Sequence, residues 1–94
     1  MDFRTLKSEL EKVYADIAGS IDNNGMPHLE MLQEFSRLAR MMPMLVEDDW
    51  IGEAEDFAHL STQILQAARN NDFKTVVQLA DSLSDAQNVL FQSV

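Results

Sequence analysis

The sequence predicts an all-α protein, an up-and-down antiparallel four-helix bundle, on three observations. Apolar residues recur at three- and four-residue steps in four successive segments. Helix formers such as Ala, Leu, Met, Glu and Gln are abundant, and β-branched residues never form an alternating run. The links between the segments hold residues that stop or cap helices.

The first helix is expected over residues 2–22. Phe3, Leu6, Leu10, Val13, Ile17 and Ile21 form its apolar stripe, with Tyr14 and Ala18 widening it. Asp2 can cap its start, and Asn23-Asn24-Gly25 can stop it, because Asn and Gly tolerate the left-handed conformation that helix ends favour. The second helix is expected over 27–46. Pro27 suits a first turn, where a missing N–H has no partner to lose. Its face is Leu29, Leu32, Phe35, Leu38, Ala39 and Met42, with Met31 beside it. Pro43 leaves two alternatives: it ends this helix, or it kinks it and leaves Met44-Leu45-Val46 as a last turn.

The third helix is expected over 49–69, with Asp48 or Asp49 as its cap. Trp50, Ala54, Phe57, Ser61, Ile64 and Ala68 form its stripe, flanked by Ile51, Leu60 and Leu65. Asn70-Asn71-Asp72 makes the next turn, and Asp72 caps a fourth helix over 72–92. That helix carries Phe73, Val76, Val77, Ala80, Leu83, Ala86, Gln87 and Leu90, with Phe91 and Val94 at its end. Such short links make neighbouring helices antiparallel. The 94 residues fill one domain, 1–94, with room for one core.

The formal charge of −9 comes from sixteen acids against seven scattered Lys and Arg. That balance excludes the basic footprint nucleic-acid binding needs, and it disfavours anionic membranes. There is no cysteine, so disulfides, thiolate metal sites and thioether-linked cofactors are excluded. The first residues lack a basic segment followed by an apolar one, and no stretch approaches the length of a membrane span. The expected location is the cytoplasm.

Little in the sequence points to chemistry. His59 follows Glu55 by four residues and Asp56 by three, which puts acid and imidazole on one helical face, as in half of a carboxylate-bridged metal site. The only other histidine, His28, has no such acid beside it, and the set is incomplete. Glu47, Asp48, Asp49, Glu53, Glu55 and Asp56 do not fit a calcium loop. They read as acids favoured at a helix start, or as a docking strip for a basic surface. Ser61 lies two residues from His59, on another face, and no glycine-rich phosphate loop exists. The chain reads as non-catalytic, with no cofactor and no metal. Met41, Met42 and Met44 flank Pro43, and thioethers with Trp50 suit an adaptable contact. Met42, Met44 and Trp50 are the candidate interaction surface, for a homodimer or a protein partner.

The second half of the chain resembles a known family. Trp50, Phe57, Leu65-Gln66-Ala67-Ala68, Asn71-Asp72, Val76 and Leu83 look like the second half of cytochrome c prime. In one register the haem-attachment cysteines and histidine of that family fall at Ser84, Gln87 and Asn88, with Phe91 as the following aromatic. A bacterial relative, the XXXCH domain family, keeps only a terminal Cys-His pair and covers more of the chain. Phe3-x-x-Leu6-Lys7-x-Glu9-Leu10-Glu11, Glu34-Phe35-x-Arg37-Leu38-Ala39-Arg40 and Phe57-x-His59-Leu60 are similar to it, and the pair then falls at Leu90-Phe91. The resemblance implies a four-helix bundle that pairs through its faces and has lost its haem-attachment residues in either register. A second functional expectation is a bundle that holds haem or another small molecule without covalent bonds, through His59 or His28.

Overall fold

The computed structural model describes residues 1–93 and contains four α-helices: α1 (Phe3–Asp22), α2 (Leu29–Ala39), α3 (Ile51–Arg69) and α4 (Phe73–Ser93). Two single 3-10 turns, Met42–Met44 and Asp48–Trp50, lie in the connector between α2 and α3. Val94, expected at the end of the fourth apolar stripe, lies outside the described residues.

Local chemistry explains most helix ends. The Asp2 carboxylate accepts the Thr5 N–H at 2.8 Å and caps α1. Asp72 does the same for α4, accepting the Thr75 N–H at 3.2 Å and the Thr75 hydroxyl at 2.6 Å. These bonds favour the ionised acids and hold both carboxyls below the usual carboxylate range. The turns after α1 and α3 use one device. Asn24 (φ 58°) and Asn71 (φ 59°) take the left-handed conformation, which asparagine accepts more readily than other side chains.

The second helix differs from the expectation. It starts at Leu29, after an N-cap at His28 that makes no side-chain bond, and it stops at Ala39 rather than reaching residue 46. Pro27 therefore precedes the helix, where it is buried, and Leu29 is exposed in the open first turn. Pro43 explains the early stop: it has no N–H to offer the Ala39 carbonyl, and it disfavours helical geometry in the residue before it. The chain tightens instead, with the Met41 N–H on the Leu38 carbonyl at 3.0 Å and the Leu45 N–H on that of Met42 at 3.0 Å. Neither Asp48 nor Asp49 caps α3. They are spent on the 3-10 turn closed by the Trp50 N–H on the Glu47 carbonyl at 2.8 Å, and α3 begins only at Ile51.

The helices run up and down along a body of 36 × 20 × 19 Å. Each stripe is buried in part as its periodicity predicts: Leu6, Leu10 and Ile17 from α1; Leu32, Phe35 and Leu38 from α2; Ala54, Phe57 and Ile64 from α3; Val76, Leu83 and Leu90 from α4. Ser61 is buried too, its hydroxyl donating to the Ala58 carbonyl one turn back.

Five aromatic rings bridge all four helices. Phe3 of α1 meets Phe91 of α4 edge to face at 6.4 Å, Phe91 meets Phe57 of α3 at 6.4 Å, Phe57 meets Phe35 of α2 at 5.6 Å, and Phe35 meets Tyr14 of α1 at 6.1 Å. The Tyr14 hydroxyl then donates to the Ala80 carbonyl of α4 at 2.9 Å. Phe3 with Phe91 and Tyr14 with Ala80 fix α1 antiparallel to α4. Lys7 strengthens this pair by donating to the Phe91 carbonyl at 3.3 Å, in the last turn of α4 where carbonyls lack helical partners.

Removing the central ring by Phe57→Ala is expected to cost about 3–5 kcal/mol of unfolding free energy, measured by urea denaturation. Gln87 gives the opposite case. It lies on the inner stripe of α4 between Leu83 and Leu90, and its Oε1 is buried without a hydrogen-bond partner. An unpaired buried acceptor costs about 1–3 kcal/mol, so Gln87→Leu is expected to raise stability by about 1 kcal/mol in the same assay.

Tyr14 sets the alkaline limit. Burial raises its pKa above the ordinary 10.0, and the charges of Asp81, Asp22 and Asp85 add to this while the Ser84 hydroxyl opposes it. A group raised on folding stabilises fully below its unfolded pKa and loses that contribution as pH climbs through the folded value. Unfolding free energy should therefore fall above about pH 10, and Tyr14→Phe should flatten that part of the profile.

Candidate functional site

The connector between α2 and α3 sorts its methionines by the geometry of the 3-10 turn. Met42 is fully buried in the core. It fills the space an uninterrupted α2 would have covered, and its side chain is not part of any surface; the expected contact of Met42, Met44 and Trp50 loses this member. Met44, two residues on, is 76% exposed, more than any other large apolar side chain among the described residues. Met41, Leu45, Val46 and Trp50 are part-buried against the core. The connector therefore seals this flank of the bundle with one apolar layer and presents Met44 outside it, with the part-buried Trp50 nearby in sequence.

The acids around this segment are solvated. Glu47, Asp48, Asp49, Glu53, Glu55 and Asp56 are all exposed, and none forms an ion pair among the described residues. Asp48 and Glu53 stand in the first turns of their helical segments, where acids meet unpaired N–H groups favourably. His59 is exposed with Glu55 and Asp56 on the outer side of α3, and His28 is exposed at the start of α2. Among the described residues no three His, Asp or Glu side chains converge in a metal-binding arrangement. The Ser61 hydroxyl points into its own helix, away from His59.

The positions at which the family resemblance sets haem attachment lie along the last turns of α4. Ser84 is part-buried, Gln87 carries the unpartnered acceptor, Asn88 is exposed, Leu90 is in the core and Phe91 is in the aromatic file. None of these side chains is a thiol or an imidazole.

A second feature has no counterpart in the sequence reading. A groove of about 280 Å³ between α2 and α3 is lined by Gln33, Ser36, Arg40, Thr62, Leu65 and Arg69. Its floor is polar: the Ser36 and Thr62 hydroxyls lie 3.4 Å apart, and Thr62 also donates to the Ala58 carbonyl at 3.3 Å. Arg40 is steadied by its Nε on the Ser36 carbonyl at 3.3 Å. Arg37, one turn earlier, is paired with Glu34 through two hydrogen bonds, which lower the Glu34 pKa and raise that of Arg37. Arg40 and Arg69 have no carboxylate partner among the described residues. They are far apart in sequence, and only the antiparallel pairing of α2 and α3 brings them to one groove; no local pattern signals it.

Compared with protein-family models, curated proteins and solved structures, the chain matches none.

No helix among the described residues is long and apolar enough to cross a membrane.

Proposed function

We propose that the protein is a non-catalytic helical interaction module of the cytoplasm, which pairs with a second copy of itself through the α2–α3 connector. The exposure of Met44 carries this reading: a flexible thioether held 76% in solvent is the side-chain chemistry enriched in protein contacts, and a part-buried tryptophan, Trp50, lies six residues on in the same connector. Supporting it, the bundle closes over its own core without calling on the Met44 side chain, so that residue is not needed for folding. We also read the chain as a relative of the XXXCH domain family that keeps the bundle; the similar segments at residues 3–11, 34–40 and 57–60 and the four-helix fold support this, and residues that cannot hold haem at Ser84, Gln87, Asn88, Leu90 and Phe91 mean that haem attachment is lost.

The acids beside the patch favour a second form of the same reading. Glu47, Asp48 and Asp49 are exposed in the stretch of chain between Met44 and Trp50, and they suit a different protein that sets an apolar pocket within a basic rim.

Salt separates the two forms. Two copies carrying −9 each repel, and screening shortens that repulsion to within about 8 Å at physiological ionic strength. Sedimentation equilibrium is expected to show a mass rising toward the dimer with concentration, more so at high salt, with a blue shift in the emission of Trp50, the sole tryptophan. Met44→Glu should abolish both changes while leaving the circular dichroism spectrum intact. A single-chain mass at every concentration and salt, with constant Trp50 emission, would rule out self-association.

A further inference from the structure

We infer that the groove between α2 and α3 is a binding site for a small oxyanion, a phosphoryl or carboxylate group on a free ligand. The site is independent of the Met44 contact. Arg40 and Arg69 both line it, with Gln33, Ser36, Thr62 and Leu65, and the lining contains no acid. Guanidinium forks bind planar or tetrahedral oxyanions through paired, charge-assisted bonds.

Placement at helix ends explains part of this arrangement. Arg69 is in the last turn of α3 and Arg40 closes α2, where a cation meets unpaired carbonyls. Neither has a carboxylate partner among the described residues; Arg4, Lys7 and Lys74 have none either, so what sets Arg40 and Arg69 apart is that both line one groove. Ser36 holds Arg40 in place at the cost of one of its donors, leaving the terminal nitrogens of the fork for a ligand.

The overall negative charge opposes anions at a distance. At contact the comparison reverses, because screening reduces charges beyond about 8 Å at physiological salt, whereas the two arginines act at hydrogen-bond range. Glu55 lines the adjoining depression with Arg40, Pro43, Ala58, His59 and Thr62, not the groove itself. The polar floor suits a small hydrated ligand better than an apolar protein surface.

Titration with sodium phosphate, sodium acetate and sodium chloride at constant ionic strength, followed by amide chemical shifts, tests the site. Saturable shifts centred on Ser36, Arg40, Thr62 and Arg69 are expected with phosphate or acetate. Tighter phosphate binding identifies a phosphoryl ligand, and tighter acetate binding a carboxylate. Arg40→Gln with Arg69→Gln should weaken binding about tenfold or more, consistent with loss of charge-assisted bonds, with the fold retained because both side chains are exposed. Shifts that are no larger or more localised than those from chloride, or an affinity unchanged in the double variant, would overturn the assignment. Neither result depends on Met44 or on self-association.

Discussion

The bundle depends on the aromatic file that runs Phe3, Phe91, Phe57, Phe35, Tyr14. The α3 backbone packs closely against α4 and α2, but α1 and α4 approach each other mainly through side chains. Without large residues between them, the first and last helices would leave the core open along one seam. Rings at 5.6–6.4 Å in tilted and edge-on arrangements fill that seam with high-contact side chains and favourable quadrupole geometry. The Tyr14 and Lys7 bonds to α4 carbonyls then fix the antiparallel alignment at two heights along the seam.

Pro43 is the second constraint, and it links the fold to the surface. α2 has 11 residues and α3 has 19, so α2 covers only about 16 Å of a partner about 28 Å long. The connector must close the remainder. It does so by turning Met42 inward as a plug and setting Met41, Leu45, Val46 and Trp50 along the edge of the core. A chain that closes a gap with two tight turns cannot hide every apolar side chain, and Met44 is the apolar one left outside. The early end of α2 also leaves Arg40 at the helix terminus, over the groove it shares with Arg69.

Most of this architecture was legible from the residues, because the signals are local. Asp2 and Asp72 precede regular apolar stripes, and a cap needs only the residues of the first turn. The left-handed turns at Asn24 and Asn71 follow equally from short-range sterics. Periodicity failed where it had to choose a boundary. Leu29 fits the α2 stripe by spacing yet stands in solvent, since a stripe does not say where the core stops. Pro43 allows either an end or a kink in sequence terms, and the structure takes the end, with the chain tightening into a 3-10 turn over Met42–Met44. Met42 and Met44 have the same chemistry two residues apart, and only the tight turn separates inside from outside. The groove was invisible for a different reason: its residues come from two helices and meet only on the folded surface.

If the aromatic file unites the helices, they open together. Native-state hydrogen exchange is the most direct measurement, read at amides near Phe3 and Tyr14 in α1, Phe35 in α2, Phe57 in α3 and Phe91 in α4, excluding the frayed end turns. One opening free energy shared by core amides in all four helices, equal to that of global unfolding, is the predicted result. Core amides of α1 that exchange at a much lower free energy while α2, α3 and α4 stay protected would show that the seam between α1 and α4 holds by something other than these rings.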